Sequence, residues 1–370
     1  MKLVITTDCF LPRWDGIARF LSLLLPELAR SMQITVFAPK FPGKVPIIKG
    51  VRVIRFPLMN IQFGDIFFCR PDKSAMERVI RDADVVFNQT IGPVGQIAIR
   101  LAAKHKRPIV SYIHSVEWEL AKRALKHPQR LAEWFVRWLS RNLYNKCSLL
   151  LVPSSEVGDL LSGNKVRTKK ELVRMGIATS KFVPPKSKSA AKKRIKIPPS
   201  RRVIGFCGRI AREKDLPTLY NAFQQVHAKY RNTVLLIVGE GLEKEIPPSR
   251  HVIRVGRQDD VVPFLQAMDI FVLPSLTETS SLATMEAMSV GLPVVVTPVG
   301  NIREYVVDKK NGLLFARQDV SELAEKLAYL LKHTAARKSL GKSARATIVK
   351  DYSWQQTAEK IKKILATFSG

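Results

Sequence analysis

The sequence has few acidic residues, few cysteines and no long apolar run. Asp and Glu account for 31 of its 370 residues. The four cysteines show neither metal-binding nor CxxC spacing, which argues against a disulfide framework and a zinc site and favours a reducing compartment. No window reaches about 18 uninterrupted apolar residues. The N-terminal stretch MKLVITTDCFLPRWDG becomes polar too early for a signal peptide. If the protein contacts a membrane, it is therefore expected to bind at the membrane surface without spanning it.

The shortage of acids leaves a formal net charge of +30, from 61 Lys and Arg. Residues 1–202 hold 38 bases and 14 acids, whereas residues 203–370 hold 23 and 17. The excess charge therefore belongs to the first half and the middle of the chain. Such a field favours polyanions: phosphorylated ligands, an anionic membrane or nucleic acid. A solvated surface that keeps the protein soluble is the alternative.

Apolar segments alternate with helical ones in two blocks. The strand-like segments KLVITTD, QITVFAP, VRVIRF, DVVFNQ, PIVSYIH and SLLLVPSS predict a doubly wound α/β domain over residues 1–175. A second alternation, from VIGFCGR to GLLF, predicts a similar domain over residues 203–352. The fold class is therefore α/β, with two Rossmann-like domains facing a cleft.

Two segments fall outside this alternation. From position 165 to 202, 14 bases oppose one acid and four prolines are present, which predicts a basic interdomain linker over residues 176–202. Residues 353–370 predict a terminal helix whose apolar face must pack on another part of the protein. That face consists of Trp354, Ala358, Ile361 and Leu365.

Ligands of open parallel sheets bind beyond the carboxyl ends of the strands, so the loops there hold the candidate site residues. Gly16 opens a helix whose N–H groups favour a phosphate, although a tight turn alone also explains a glycine. Arg209 and Lys214 follow a strand and can hold a diphosphate, or they form surface ion pairs. His114 closes a strand, where an imidazole can bind a hydroxyl or serve a structural role.

Two carboxylates lie in LPSLTETSSLATMEAMSVGLPVVV, which runs from a strand into a helix near residues 281–290. Glu278 precedes the helix and Glu286 lies inside it. Their spacing places them on different helix faces, so each is expected to meet a different part of one extended ligand through its hydroxyl groups. A helix-start role for Glu278, favoured by the helix dipole, is the alternative.

Residues 115–146 combine aromatic and basic side chains. An interfacial membrane helix shows this composition, and so does a core helix with a solvated basic face. The candidate membrane or acceptor residues are Trp118, Arg130, Trp134, Phe135, Arg137, Trp138 and Arg141.

Together these segments resemble the retaining GT-B glycosyltransferases, in the large nucleotide-sugar-dependent family that includes phosphatidylinositol mannosyltransferases, glucosyldiacylglycerol and sulfoquinovosyl lipid synthases, and sucrose synthase-like enzymes. The resemblance covers nearly the whole chain, and its most specific element is the acid pair. It implies that the terminal helix crosses back to the first domain. It also implies a donor site made of Gly16, Arg209, Lys214, Glu278, Thr279, Ser280, Ser281, Leu282 and Glu286.

The resemblance further assigns roles within that site. Glu286 is expected to bind the donor's ribose and Glu278 to lie by the transferred sugar. Arg209 and Lys214 are expected to hold the diphosphate. His114 is expected beside the sugar and joins Glu278, Arg209 and Lys214 as a catalytic residue.

The sequence departs from the family pattern at three places. Asp15 stands where many members have a first glycine before Gly16, and Asp215 stands where Gly is common. Thr279 and Ser280 replace a frequent Gly-Phe, which leaves the contacts to the sugar open.

The implied reaction moves a hexose from a UDP- or GDP-sugar to an acceptor with retained anomeric configuration. Fixed cations stabilise the leaving diphosphate, and neither a metal nor another cofactor is expected. A membrane lipid is the favoured acceptor, which places the enzyme peripherally on the cytoplasmic face of a membrane. A soluble sugar or polysaccharide is the alternative acceptor. A basic nucleic-acid-binding protein is the alternative from another class, but nucleic acid is not the expected partner because no motif for reading it is recognised.

Overall fold

The computed structural model of the chain describes residues 1–13, 15–63, 66–119, 129–242, 246–278 and 280–368. The chain divides into two compact units. The first comprises Met1–Arg174 and Thr357–Gly370, and the second comprises Met175–Gln356.

The first unit is built on a parallel sheet and a small antiparallel hairpin. Its strands are β1 (Lys2–Thr6), β2 (Gln33–Pro39), β3 (Val51–Phe56), β4 (Leu58–Phe63), β5 (Ile66–Cys69), β6 (Val85–Asn88), β7 (Ile109–Tyr112), β8 (Leu149–Val152) and β9 (Lys170–Leu172). Within the described residues the parallel sheet has the order β3-β2-β1-β6-β7-β8-β9, and β4 pairs with β5. Strands β6, β7 and β8 are buried along their whole length, which is typical of parallel strands covered on both faces.

Five helices of this unit are α1 (Gly16–Leu28), α2 (Lys73–Arg81), α3 (Pro93–Lys104), α4 (Gln129–Tyr144) and α5 (Ser155–Gly163). Helix α1 begins after Asp15, whose side chain accepts a hydrogen bond from the N–H of Ala18 and caps the helix. Phe20, Leu24 and Leu28 are buried along one face, as their helical spacing predicts.

The second unit repeats the architecture. Its elements are α6 (Lys188–Arg194), β10 (Arg202–Cys207), a 3-10 turn (Arg212–Lys214), α7 (Leu216–Lys229), β11 (Thr233–Val238), β12 (Val252–Arg254), α8 (Val262–Ala267), β13 (Ile270–Leu273), α9 (Leu282–Ser289), β14 (Val294–Val296), α10 (Ile302–Tyr305), β15 (Leu313–Leu314), α11 (Val320–Lys332) and α12 (Thr334–Asp351). Where the chain is described, the strands form one parallel sheet in the order β12-β11-β10-β13-β14-β15.

Both sheets are doubly wound, which confirms the predicted pair of Rossmann-like α/β domains. In each sheet the strand order reverses at one place, between β1 and β6 in the first and between β10 and β13 in the second. Ligands of doubly wound sheets bind at these switch points. The reversals therefore select the loops in which functional side chains are expected.

Residues 176–202, predicted to be a basic linker, belong to the second unit instead. Phe182 and Ile197 are buried in its apolar core. Lys192 is buried too, with its Nζ 2.7 Å from Asp269 Oδ2 and 2.7 Å from the carbonyl oxygen of Arg201. The prediction was wrong because a count of bases does not distinguish a solvated lysine from one that is buried and paired.

The chain ends in helix α13 (Trp354–Ala366), and from Thr357 onward it belongs to the first unit. Thr357 Oγ1 donates to the carbonyl oxygen of Arg174 at 2.9 Å. Lys360 Nζ lies 3.5 Å from Glu171 Oε1. The predicted apolar face, which includes Ile361, is buried. The contacts of Thr357 and Lys360 attach the helix to β9 and to the residues that follow it.

Candidate active site

The switch point of the second sheet brings Lys214 and Glu278 into contact. Lys214 follows β10 and Glu278 follows β13, and these strands are neighbours. Lys214 Nζ lies 2.5 Å from Glu278 Oε1, and the two side chains are 18% and 10% exposed. Ser275 Oγ donates to the same carboxylate oxygen at 2.9 Å. Two residues predicted separately for a diphosphate and a sugar thus form one partly buried ion pair.

The backbone around Lys214 holds this pair in place. Lys214 ends the 3-10 turn, and Asp215 after it adopts a left-handed conformation with φ of 49°. This conformation favours glycine but is accessible to Asp, which accounts for the departure from the family pattern at this position. The N–H of Leu276 donates to the carbonyl oxygen of Glu213 at 2.8 Å and ties the two loops together.

Arg209 lies on the same edge of the sheet, with its side chain mostly exposed. Its Nη2 lies 2.5 Å from Glu213 Oε1, so it too has a carboxylate partner. The loop that carries it packs tightly on the loop after β11, where Gly241 has φ of +141° and a Cβ would lie 2.0 Å from the carbonyl oxygen of Ile210. Glycine is therefore required there to keep Arg209 at the sheet edge.

Helix α9 begins with its own cap, so Glu278 does not serve as one. Ser281 Oγ accepts from the N–H of Thr284 at 3.3 Å, and Leu282 is the first residue of the helix. The predicted helix near residues 281–290 is confirmed, and Glu286 lies within it as a buried carboxylate. Its contact with a ribose stays a prediction. Thr279 lies outside the described residues.

Two further polar residues at this edge were not predicted. Asn301 follows β14, and its Nδ2 donates to Ser280 Oγ at 2.8 Å. Asn301 Oδ1 is buried, and the described residues offer it no hydrogen-bond partner. Ser275, which holds Glu278, follows β13. Their positions in the loops that follow strands were the signal that could have found them.

In the first unit, His114 follows β7 and contacts Gln89, which follows β6 at the switch point. His114 Nε2 lies 3.0 Å from Gln89 Oε1, while Gln89 Nε2 lies 3.4 Å from the carbonyl oxygen of Phe87. This network assigns the imidazole proton to Nε2. Nδ1 has no hydrogen-bond partner in the described part of the chain. Burial lowers the pKa of His114 to about 3, so the ring is neutral near pH 7 and Nδ1 can accept a hydrogen bond.

Gly16 is exposed at the start of α1, and no atom lies within 4 Å of a Cβ built on it. It does not have a positive φ, so the tight turn does not account for this glycine. Asp15 Oδ1 accepts from the N–H of Ala18 at 2.9 Å. One N–H group of the first turn is therefore already bound to a carboxylate.

Helix α4 carries an exposed apolar face, defined here as Leu131, Trp134, Phe135 and Trp138, which are 66%, 64%, 52% and 44% exposed. The core-packed alternative for these side chains is therefore wrong. Trp118, also predicted for the membrane or acceptor, is instead buried in the core because it packs among apolar side chains of the first unit.

The basic residues predicted on this helix differ in their surroundings. Arg137 forms an ion pair with Glu133, and its guanidinium lies 5.8 Å from the ring centroid of Trp118. Its guanidinium is therefore already paired within the helix, although 43% of the side chain is exposed. Arg141 lines a cavity at the end of the helix. The side chain of Arg130 lies outside the described part of the chain.

Among the described helices, none combines the length and the apolar character needed to cross a bilayer. The same described residues contain no group of three or more His, Cys, Asp and Glu side chains placed to hold a metal ion.

Known proteins share this organisation. The family model described as Glycosyltransferase Family 4 matches residues 14–181, and the one described as Glycosyl transferases group 1 matches residues 201–333. The alpha-monoglucosyldiacylglycerol synthase of Acholeplasma laidlawii is 25% identical over 93% of this chain and 92% of its own. A GDP-mannose-dependent alpha-(1-6)-phosphatidylinositol monomannoside mannosyltransferase of Mycolicibacterium smegmatis is 24% identical over 98% of both chains.

Solved structures show the same fold. The Anabaena protein HepE, in complex with UDP and glucose, superposes with a TM-score of 0.78 at 17% identity and covers 99% of this chain and 100% of its own. The two family models match the two domains in turn, and the relatives align along nearly the whole chain. The chain therefore belongs to the group 1 glycosyltransferases, and its two Rossmann-like domains are those of the GT-B fold.

Proposed function

We propose that the protein transfers a hexose from a UDP- or GDP-sugar to a membrane lipid and retains the anomeric configuration. The observation that carries the lipid acceptor is the exposed apolar face of α4, since three large aromatic side chains in water are unusual unless they meet a partner. Relatives whose names specify glucosyldiacylglycerol synthesis and phosphatidylinositol mannoside transfer support the same acceptor class.

The donor half of the reaction depends on charge at the leaving group. As the bond between the anomeric carbon and the diphosphate breaks, negative charge grows on the phosphate oxygens. Lys214 and Arg209 lie at the sheet edge where the diphosphate is expected and stabilise that charge. The acceptor hydroxyl attacks the same face of the sugar and passes its proton to the departing phosphate oxygen. The new glycosidic bond forms on the face that the diphosphate leaves, so the anomeric configuration is retained.

Carboxylates and the neutral histidine position the sugars. Glu286 binds the ribose hydroxyls and Glu278 lies by the transferred hexose. His114 offers Nδ1 as an acceptor to a sugar hydroxyl, because Gln89 holds the proton on Nε2. A panel of UDP-, GDP- and ADP-sugars in thermal-shift measurements identifies the donor. Glu286→Ala is expected to abolish the shift that the donor produces.

No metal requirement is proposed, since the two cations supply positive charge at the diphosphate. Transfer is expected to continue after EDTA treatment. A loss of activity that added Mg²⁺ restores would contradict this part of the proposal.

The membrane is met through the exposed apolar face of α4, supported by the basic excess of residues 1–202. We place the enzyme at the cytoplasmic face of a membrane, because its four cysteines are free thiols, which suits a reducing compartment.

Vesicle sedimentation tests this placement. Trp134→Ser/Trp138→Ser is expected to release the protein from vesicles of phosphatidylglycerol and phosphatidylcholine at low salt. A matched control, Tyr329→Ser, removes an exposed aromatic side chain from the second unit and is expected to have no effect. Full activity on a water-soluble acceptor without vesicles, unchanged in the double variant, would contradict a lipid acceptor.

A further inference from the structure

The first unit has a polar cavity away from the candidate active site. It has a volume of about 580 Å³. We call it the basic pocket, lined by Arg141, Asn145, Cys147, Lys165, Arg167 and Thr168. Cys147 precedes β8 and Thr168 precedes β9, so the pocket lies at the amino ends of these strands. His114 follows the carboxyl end of β7, at the opposite edge of the same sheet.

The frame of the basic pocket is held by hydrogen bonds to the backbone. Asn145 Oδ1 accepts from the N–H of Arg167 at 2.7 Å, and its Nδ2 donates to the carbonyl oxygen of Lys165 at 3.2 Å. Thr168 Oγ1 donates to the carbonyl oxygen of Tyr144 at 2.7 Å. These bonds join the end of α4 to the loop before β9 without using the cationic groups of Lys165 and Arg167.

Three cationic side chains line this frame. Within the described residues, the cationic groups of Arg141, Lys165 and Arg167 form no ion pair and no hydrogen bond; Lys165 and Arg167 contact Asn145 through their backbone alone. Like charges that share one pocket repel each other, and a bound anion converts the repulsion into attraction. The guanidinium groups match the geometry of phosphate oxygens, since each can donate two parallel hydrogen bonds.

We propose that the basic pocket is a binding site for a phosphate group carried by a polyol, separate from the sugar-transfer site. Its volume lies in the range of small-molecule sites, roughly 300–1,000 Å³. The hydroxyl and amide groups of its frame suit a polyol better than an apolar ligand.

Two sources supply this chemistry: a soluble sugar or glycerol phosphate, and the headgroup of a phospholipid. The arrangement of α4 favours the headgroup. Trp134, Trp138 and Arg141 lie at positions i, i+4 and i+7 along one stripe of α4, and Asn145 directly follows the last residue of the helix. The exposed apolar face of α4 therefore continues into the basic pocket, which places a headgroup phosphate beside side chains suited to the acyl boundary.

The test compares two charge-removing variants of the full chain. Lys165→Gln/Arg167→Gln removes two cations from the basic pocket but keeps the backbone bonds of its frame. Lys193→Gln/Arg194→Gln removes two exposed cations of α6 and is the matched control. Calorimetry with glycerol 3-phosphate measures the soluble source, and sedimentation with phosphatidylglycerol vesicles against phosphatidylcholine vesicles measures the lipid source.

Saturable binding to at least one probe is expected, with affinity at least about 10-fold weaker in the pocket variant and unchanged in the control. Binding to glycerol 3-phosphate identifies the soluble source, and binding to vesicles alone identifies the headgroup. Equal losses of affinity in both variants would overturn the proposal, because such losses reflect the overall charge of the protein. The absence of binding to either probe would overturn it too. Donor-induced thermal shifts are expected to be unchanged, so failure of the pocket and failure of the proposed sugar transfer are separate results.

Discussion

Replacing Glu278 by Gln is expected to strengthen the binding of a nucleoside diphosphate while it slows sugar transfer. Lys214 Nζ lies 2.5 Å from Glu278 Oε1. The ammonium group must weaken this contact when it holds a diphosphate. A glutamine keeps the size of the side chain and can still accept from the Ser275 hydroxyl, but it carries no competing charge.

The magnitude follows from the exposure of the pair. Exposed ion pairs contribute about 0.2–1 kcal/mol, whereas hydrogen bonds to charged groups contribute about 1.5–3 kcal/mol. Side-chain exposures of 18% and 10% place this pair between those limits. We take about 1.4 kcal/mol as the free energy of the Lys214–Glu278 contact that opposes nucleotide binding. Its loss in the variant corresponds to about a 10-fold gain in affinity. Transfer is expected to fall about 100-fold, the effect of losing one catalytic charge contact.

Calorimetric titration with UDP and GDP measures the affinity, and a double-mutant cycle assigns it. In the Lys214→Met background, Glu278→Gln is expected to leave the affinity unchanged, because no ammonium group remains to be released. Thermal denaturation of each variant checks that the fold is kept. Weaker nucleotide binding in Glu278→Gln, or a gain that persists without Lys214, would refute the reasoning.

Burial raises the pKa of Glu117 from 4.5 to about 7, so the stability that the protonated carboxyl contributes is complete below pH 4.5 and is lost as the pH rises through 7. The Tm of Glu117→Gln is therefore expected to rise relative to that of the wild type between about pH 5 and 8. A constant difference in Tm over this range would contradict the prediction. Trp118→Ala is expected to lower the free energy of unfolding by about 3–5 kcal/mol in urea titrations, as for a buried core aromatic. A loss as small as that of a surface residue would contradict the burial of Trp118. Gly241→Ala is expected to lower the Tm because its φ is +141°, whereas Gly16→Ala, with no atom within 4 Å of the added Cβ, is the control expected to leave the Tm unchanged.

The order of elements was predictable because parallel strands are short apolar runs bounded by turn residues. Helix α9 was predicted near residues 281–290 and spans Leu282–Ser289, since Gly291 and Pro293 end it and a serine starts it. The buried face of α13 was predictable from helical periodicity, because Trp354, Ala358 and Ile361 recur on one side. In each case the signal is local, and tertiary packing agrees with it.

The errors concern burial, which depends on residues far away in the sequence. The basic segment 176–202 reads as solvated, yet Lys192 is buried because Asp269 and a backbone carbonyl surround its ammonium group. Trp118 reads as part of an aromatic surface stretch, yet it packs in the core. The Lys214–Glu278 contact joins residues 64 positions apart. The sequence identified both residues but not that one is the partner of the other.

The pairing of the donor-site cations separates two uses of positive charge in this protein. Arg209 and Lys214 each have a carboxylate partner at 2.5 Å, so the charge of these two cations is balanced locally despite the net charge of +30. A diphosphate must exchange partners with Glu213 and Glu278, which favours a ligand whose sugar hydroxyls can occupy the displaced carboxylates. Selectivity for a nucleotide-sugar over a bare polyanion follows from that exchange. The general excess of charge lies instead in the first half of the chain, where it is available to a surface partner without competing for the donor.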